Sequence, residues 1–267
     1  MNEYPSSALS KPGATISTQL PEAEHTRPGF KRGGYRAVFL DAGETLLAPH
    51  PSFHELFAQV LAGGGIAVTP EEVEAAFTAV APSFIEVMDK LGVTNWSTSR
   101  DASRRFWHEV YATAFAQMEI EDPGGRLSDA LYERFTRYES YRLFPDAVPV
   151  LEGLKRSGLT VGLISNFEEW LEGMLIEMEV AHLFDLMVIS GKEGVEKPDP
   201  AIFHLAIDRS GMDPEHSVYV GDHPKNDMEA AEAVGMKAIL IDRRDRYPEF
   251  SGPRIRSLEE LPGRLAL

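Results

Sequence analysis

Four short polar segments carry side chains that could act together on a phosphoryl group. Asp41 ends the apolar run 37–40 and stands near Gly43, so we expect its carboxylate at the end of a buried strand, where open α/β sheets bind ligands. The other three segments each follow or lie near another strand-like run: Leu163-Ile164-Ser165-Asn166, Glu196-Lys197-Pro198-Asp199-Pro200 and Val220-Gly221-Asp222-His223-Pro224-Lys225-Asn226-Asp227. Together they supply carboxylates, a hydroxyl and an ammonium group, which are the parts that metal-assisted phosphoryl chemistry requires.

The elements that must position these groups form a repeating pattern in the C-terminal part of the chain. From Pro145 onward, predicted strands at 160–164, 186–189, 217–220 and 237–241 alternate with predicted helices at 148–155, 168–178, 200–209 and 227–234. Such alternation predicts an α/β fold, a Rossmann-like parallel sheet with helices on both faces. The run 37–40 is a strand of the same kind.

Between the first two strands the chain predicts helices instead. A helix around 53–61 precedes three apolar stripes at helical spacing. The stripes are Val73, Phe77, Val80, Phe84, Val87 and Leu91, then Phe106, Val110, Ala114 and Met118, then Leu127, Leu131, Phe135 and Tyr138. We therefore predict an inserted helical bundle at 49–144, an α/β core at 35–48 and 145–267, and a disordered tail at 1–34 that is rich in Ser, Pro, Thr, Gly and Glu.

The composition excludes several classes of protein. The chain has 267 residues, and 26 Lys and Arg against 42 Asp and Glu give a formal net charge of −16. This balance argues against nucleic acid and against anionic membranes, which both need clustered basic residues. Zero cysteines exclude disulfides and thiolate sites. No apolar stretch approaches the roughly 20 residues of a membrane span, and no secretory signal is visible. We expect a cytoplasmic protein and leave its oligomeric state open.

The four polar segments, in this order and each beside a predicted strand, resemble those of the haloacid dehalogenase superfamily over about residues 36 to 245. The segments around Ser165 and Lys197 look like the subgroup in which a helical cap follows the first motif. The resemblance implies that Asp41 is a nucleophile that forms an aspartyl-phosphate, and that Lys197 offsets charge on Asp41 and on the transferring group. It also implies that Ser165 and Asn166 bind the phosphoryl group of a small phosphorylated metabolite.

The same resemblance implies a magnesium site. Asp41, the carbonyl of Gly43 and Asp222 would be protein ligands of Mg²⁺, which prefers hard oxygen atoms and retains several waters. Asp227 belongs to the same acidic motif. It is either a further ligand of Mg²⁺ or a residue that orients the ligands without contacting the ion.

The chain departs from the phosphatase pattern at Gly43, where those relatives carry a second Asp that protonates the leaving group. General acid catalysis is worth roughly 10²- to 10⁴-fold. Glu44 is the first candidate to replace this acid. His50, His54 and His223 are further candidates, and His223 ranks first among them because it adjoins Asp222.

Two alternatives to the phosphatase stay open. A metal-independent 2-haloacid dehalogenase would need no leaving-group acid, although the acidic fourth segment argues for phosphoryl substrates. The absence of the acid at Gly43 would also be explained if the protein were a weakly active or inactive binding module. Phosphonate cleavage is less favoured, since it needs an amine-forming Lys from the cap, for which Lys90 is the candidate. Side chains of the cap that could line the site are Trp96, Arg104, Arg105, Trp107 and His108.

Overall fold

A computed structural model describes residues 34–80 and 95–267 of the chain. Its strands are β1 (Ala37–Leu40), β2 (Leu47–Pro49), β3 (Tyr141–Leu143), β4 (Thr160–Ser165), β5 (Leu186–Ile189), β6 (Ser217–Gly221), β7 (Lys237–Ile241) and β8 (Arg254–Ile255). Six of them form a sheet in the order β5-β4-β1-β6-β7-β8, and every pair in it is parallel. The predicted Rossmann-like sheet is therefore confirmed.

The helices flank this sheet and fill the interval between β2 and β3. They are α1 (Phe53–Gly63), α2 (Pro70–Val80), α3 (Arg100–Gln117), α4 (Arg126–Phe135), α5 (Ala147–Arg156), α6 (Leu171–Glu177), α7 (Ser190–Glu193), α8 (Pro200–Ser210), α9 (Ala230–Ala233) and α10 (Leu261–Arg264). A π-helix spans Pro224–Glu229, and short 3₁₀ turns lie at Tyr138–Ser140, Ala181–Leu183, Pro214–His216 and Leu258–Glu260.

Both faces of the sheet are buried, which explains why its strands are continuous apolar runs. Val38 and Leu40 pack into one core with α5 and α6. Ala37 and Phe39, which point to the opposite face, pack into a second core with α8. A strand that is covered on both faces has no polar face to alternate with its apolar one.

The helices α1, α2, α3 and α4 have an apolar core of their own. Leu61 from α1, Val73 from α2, Phe115 from α3 and Leu131 from α4 belong to one cluster, separate from the two cores of the sheet. Ser52 and Ser99 cap α1 and α3 by accepting hydrogen bonds from backbone N–H groups of the first turn. The assignment of these helices to a separate cap domain, with the boundaries given above, stays a prediction.

The two chain segments that connect the sheet to these helices are hydrogen-bonded to each other. Strand β2 leaves toward α1 and strand β3 returns from α4, and the two pair antiparallel with Leu47 opposite Leu143. The backbone N–H of His50 also donates to Ser140 O at 2.8 Å. The sequence contains no pattern that predicts this ladder, because each strand is only three residues long.

Some predicted boundaries differ from the structure. The helix expected at 168–178 begins at Leu171, so Glu168 lies in the loop after β4. The helix expected at 227–234 is instead the π-helix followed by α9. The predicted tail up to residue 33, the second half of the 73–91 stripe and Lys90 lie outside the described residues. Within 34–80 and 95–267, no helix is long and apolar enough to cross a membrane.

Candidate active site

The predicted site residues meet at the carboxyl edge of the sheet. Asp41 follows β1, Ser165 ends β4 and Asp222 follows β6. Strand β1 lies between β4 and β6, and the chain moves to one side of β1 first and to the other side afterwards. Such a reversal of strand order opens a crevice at the carboxyl ends of the strands, where α/β proteins bind their ligands.

Lys197 is the centre of a buried polar network. Its ammonium nitrogen donates to Asp41 Oδ1 at 2.9 Å, to Asp227 Oδ1 at 2.6 Å and to the Tyr219 hydroxyl at 2.8 Å. The Lys197 side chain is 3% exposed and that of Asp227 only 1%. Burial lowers the pKa of Lys197, but the carboxylates of Asp227 and Asp41 outweigh this effect and raise the pKa above its ordinary value. The ammonium group is therefore charged and held against the predicted nucleophile.

The pKa values of Asp41 and Asp222 reflect both burial and the charges near each carboxylate. Burial raises the pKa of Asp41 above its ordinary value, and the charge of Lys197 opposes this effect. Asp222 lies outside the reach of Lys197's hydrogen bonds and pairs instead with the Arg246 guanidinium at 2.6 Å. Burial and the nearby carboxylates of Asp227 and Asp41 raise the pKa of Asp222 to about 7. The site thus concentrates more negative charge than its own cations neutralise.

The donor set fits a hard cation. Asp41, Asp222 and Asp227 each offer an oxygen atom, and these atoms all lie within 4.8 Å of one another. Oxygen ligands of this kind suit Mg²⁺. Asp227 is the least available of the three, because its Oδ1 accepts from Lys197 and its Oδ2 accepts from the backbone N–H of His223 at 2.9 Å. This engagement agrees with an orienting role for Asp227 and leaves Asp41 and Asp222 as the more accessible donors.

The loop that carries Asp227 needs the glycine at the end of β6. The π-helix begins with His223 as its N-terminal cap, and the backbone N–H of Met228 reaches back to His223 O. A Cβ atom on Gly221 would collide with the Asp227 carboxylate. The close approach of Asp227 to the strand end therefore depends on the missing side chain at Gly221, and a π-helix at such a place is typical of functional sites.

Ser165 and Asn166 occupy the wall beside Asp41. Ser165 is buried, and a side-chain hydrogen bond from it favours the charged form of Asp41. The Asn166 side chain forms a reciprocal pair with the backbone of Lys197, with its amide donating to Lys197 O and its oxygen accepting from Lys197 N, both at 2.7 Å. The Asn166 side chain thus positions the Lys197 loop.

The candidates for the missing acid are placed differently from one another. Glu44 lines the same cavity as Asp41, in a left-handed backbone conformation with φ 53°, and its carboxylate lies 3.1 Å from the Arg244 guanidinium. His223 also lines the cavity, but its ring nitrogen Nδ1 accepts from two backbone N–H groups, and burial lowers its pKa. His50 and His54 are not among the described residues that line the cavity.

A cavity of about 400 Å³ joins the carboxyl edge of the sheet to the helices. Asp41, Lys197 and the acidic groups form one end of it, and aromatic residues from α3, α4 and the loop after β4 form much of the rest. Of the side chains expected from the helices, Trp96 and Trp107 line the cavity. Arg104 and His108 instead contact Asp129, and Arg105 is not among the described lining residues.

Three residues that shape this site, Tyr219, Glu168 and Arg246, were not predicted from the sequence. Tyr219 joins the Lys197 network, and its single hydroxyl hydrogen is within reach of Ile164 O at 3.0 Å and Asp227 Oδ1 at 2.9 Å. Glu168 lines the cavity although it was assigned to a helix, and Arg246 pairs with Asp222. A Tyr within an otherwise aliphatic strand was the available signal for Tyr219. Arg246 follows the last predicted strand, where no motif marked it.

Comparison with known proteins decides the family. A family profile described as haloacid dehalogenase-like hydrolase matches residues 35–235. The chain belongs to the haloacid dehalogenase-like hydrolases. It is 30% identical over 239 residues to haloacid dehalogenase-like hydrolase domain-containing protein 3 of Danio rerio, covering 86% of this chain and 96% of that protein. It is 34% identical over 154 residues to phosphoserine phosphatase of Thermus thermophilus, covering 54% of this chain and 61% of that protein.

Solved structures of this hydrolase family share the fold. The HAD-hydrolase YfnB from Bacillus subtilis, solved with bound magnesium, has a TM-score of 0.71 at 18% identity and covers 87% of this chain and 99% of its own. Structures of haloacid dehalogenases also match, with identities below 25%. At these identities the likeness shows the fold alone, so the reaction has to be argued from the site.

Proposed function

We propose that this haloacid dehalogenase-like hydrolase is a Mg²⁺-dependent phosphatase of small phosphorylated molecules, with Asp41 as the nucleophile. The observation that supports the proposal is the cluster of three carboxylates, Asp41, Asp222 and Asp227, whose oxygen atoms lie within 4.8 Å of one another. Lys197 pairs with two of them, Asp41 and Asp227. A metal-independent dehalogenase has no need of a second and third carboxylate beside its nucleophile. A cytoplasmic location stays a prediction.

In the proposed reaction Asp41 attacks phosphorus, the P–O bond to the alcohol breaks, and the phosphoryl group transfers to the Asp41 oxygen. Lys197 opposes the rise that burial causes in the pKa of Asp41, and it offsets charge on the transferring oxygens. Water then attacks the same phosphorus, and inorganic phosphate and free Asp41 result. Bound Mg²⁺, held by Asp41 and Asp222 with the Gly43 carbonyl, would supply charge stabilisation to the phosphoryl oxygens.

The departing alcohol needs a proton, and Gly43 has no side chain to donate one. Glu44 stands one residue further on, lines the cavity and pairs with Arg244, so it remains the first candidate. An aryl phosphate avoids this requirement because its leaving group departs without protonation. Substrates with acidic leaving groups are therefore expected to be turned over best.

The binding module is the rival that a specific observation favours, namely the absence of an acid at Gly43. Hydrolysis of an aryl phosphate distinguishes the phosphatase from the binding module. The assay compares the wild type, Asp41→Asn and the control Asp208→Asn, which changes an exposed residue, each with Mg²⁺ and with a chelator. The phosphatase requires Mg²⁺-dependent turnover that survives Asp208→Asn and falls by at least about 10³-fold in Asp41→Asn. Absence of turnover in the wild type would favour the binding module, and a haloacid assay without metal would follow.

A further inference from the structure

Beyond Asp41 and Lys197, the cavity has a wall of aromatic rings with one acidic group in it. Trp107, Tyr111 and Tyr132 come from the helices, and Trp170 and Glu168 come from the loop after β4. The Trp107 and Tyr111 rings stack at 5.8 Å between centroids. Rings of this kind attract cations through their negatively charged faces.

Glu168 is buried among tyrosines. The residue is 6% exposed, and its Oε1 accepts from the Tyr132 hydroxyl at 2.8 Å. Burial and the Glu168 carboxylate raise the pKa of Tyr132 and of Tyr141, so both hydroxyls stay protonated. Within the described part of the chain, no Lys, Arg or His forms an ion pair with Glu168. A buried carboxylate without a cationic partner is costly, and a cation on the ligand would remove that cost.

The described lining of the cavity supplies no second Lys or Arg for an anionic group. Among the described residues that line the cavity, Lys197 is the only Lys or Arg, and it is already paired with Asp41 and Asp227. Arg104, one of three exposed arginines on α3, pairs with Asp129 outside the cavity. The charge pattern thus runs from a phosphoryl site to an aromatic, negatively charged recess.

We propose that this recess selects phosphate monoesters whose alcohol carries an ammonium group, with Glu168 as the counter-ion and the aromatic rings around the cation. The inference rests on the proposed phosphatase function, because the phosphoryl end of the ligand is assigned to Asp41 and Lys197. Glu168 acts on binding and does not touch the reacting phosphorus.

The test compares two esters of equal shape. Choline phosphate and 3,3-dimethylbutyl phosphate differ by a quaternary nitrogen in place of a quaternary carbon, so only the charge changes. Each ester is titrated calorimetrically with Mg²⁺ present, and in the Asp41→Asn background wherever the ester is turned over, so that the heat reports binding alone. The wild type should bind choline phosphate at least about tenfold more tightly, as expected for a desolvated cation beside aromatic rings and a carboxylate.

Two variants assign the preference to a residue. Glu168→Gln keeps the size of the side chain and removes its charge, so the preference should fall to within about threefold. Glu169→Gln is the matched control, because Glu169 is the next residue, is exposed and does not line the cavity. It should retain the full preference.

Each outcome decides the matter. Equal binding of the two esters by the wild type, or tighter binding of the neutral one, overturns the inference without any variant. A preference that persists in folded Glu168→Gln overturns the role of Glu168. An aryl phosphate assay run in parallel reports the proposed function separately: its failure removes the phosphatase, while the ratio of the two dissociation constants still measures the recess.

Discussion

Gly43 is where the chain departs from the phosphatase pattern, and Gly43→Asp would restore the missing acid. A Cβ atom at this position meets no other atom within 4 Å, and the backbone φ of Gly43 lies outside the left-handed region. A side chain should therefore be accepted without strain. Loss of glycine's freedom in the unfolded chain would itself stabilise the protein by about 0.4–1 kcal/mol, as for replacement of Gly by Ala at a compatible site.

Gly43 lines the same cavity as Asp41 and Asp222, so their negative charges would affect the pKa of a carboxyl group introduced at this position. Two unit charges about 4 Å apart interact by about 4 kcal/mol at an effective dielectric constant of about 20. Repulsion of this kind raises the pKa of the introduced group above its ordinary value of about 3.9. A raised pKa is what a general acid needs, because the group then carries a proton near neutral pH.

The expected gain depends on the leaving group. An evolved general acid contributes roughly 10²- to 10⁴-fold. We expect an introduced one to contribute no more than the lower limit of this range, about 10- to 100-fold in kcat/KM for an alkyl phosphate. A hundredfold gain corresponds to about 2.7 kcal/mol of transition-state stabilisation. An aryl phosphate, whose leaving group needs little protonation, should gain less than about threefold.

The assay is therefore the ratio of alkyl to aryl phosphate hydrolysis in the wild type, Gly43→Asp and Gly43→Asn. The Asn variant has nearly the same shape and lacks an acidic proton, so it separates acid catalysis from a change in packing or hydrogen bonding. An unchanged ratio in folded Gly43→Asp would refute the reasoning, as would an equal increase in both variants. The first outcome would indicate that another group already supplies the proton.

Two further predictions concern the buried charges. Lys197→Met leaves Asp227 without its cation, so the free energy of unfolding should fall by about 3–5 kcal/mol. The loss should be smaller in the presence of Mg²⁺ than in the presence of a chelator. Equal losses in thermal unfolding under the two conditions would contradict the metal assignment. Glu196 accepts from the backbone N–H of Ser97 at 2.7 Å and is 3% exposed, and we expect Glu196→Gln to cost about 1–3 kcal/mol because a buried acceptor is replaced in part by a donor. Burial raises the pKa of Glu196 above 4.5, so the folded state binds the Glu196 proton more tightly than the unfolded state does. The free energy of unfolding of the wild type should therefore decrease as pH rises from 4.5 through the raised pKa. Its stability advantage over Glu196→Gln should narrow over the same pH range. A difference in melting temperature that is constant with pH would refute this linkage.

The site residues that the sequence identified are those whose position follows from strand order. Asp41, Ser165 and Asp222 each stand at or just after a strand end, and parallel strands bring their carboxyl ends to one edge. Strand periodicity and motif order were therefore enough to predict that these groups meet. The same logic predicted the sheet, since apolar runs alternating with helices have few ways to be buried.

Contacts between distant segments could not be predicted in this way. Tyr219 lies inside a strand, and only the register of β6 beside β1 directs its hydroxyl to Lys197. The pairing of β2 with β3 joins residues nearly a hundred positions apart through strands too short to show a period. Glu168 was predicted to lie in a helix because residue spacing indicates that a helix is present but does not fix the residue at which it begins.

The family, the fold class and the groups that can act on a phosphoryl substrate were therefore predictable from the chain alone, because these depend on local pattern and on chemical type. The tertiary structure decided how the groups are charged and what faces them. Asp227 is committed to hydrogen bonds, Asp222 has a pKa of about 7, and Glu168 is buried in an aromatic recess. Burial and the distances between charges set these properties, and both arise only when segments far apart in the chain are packed together.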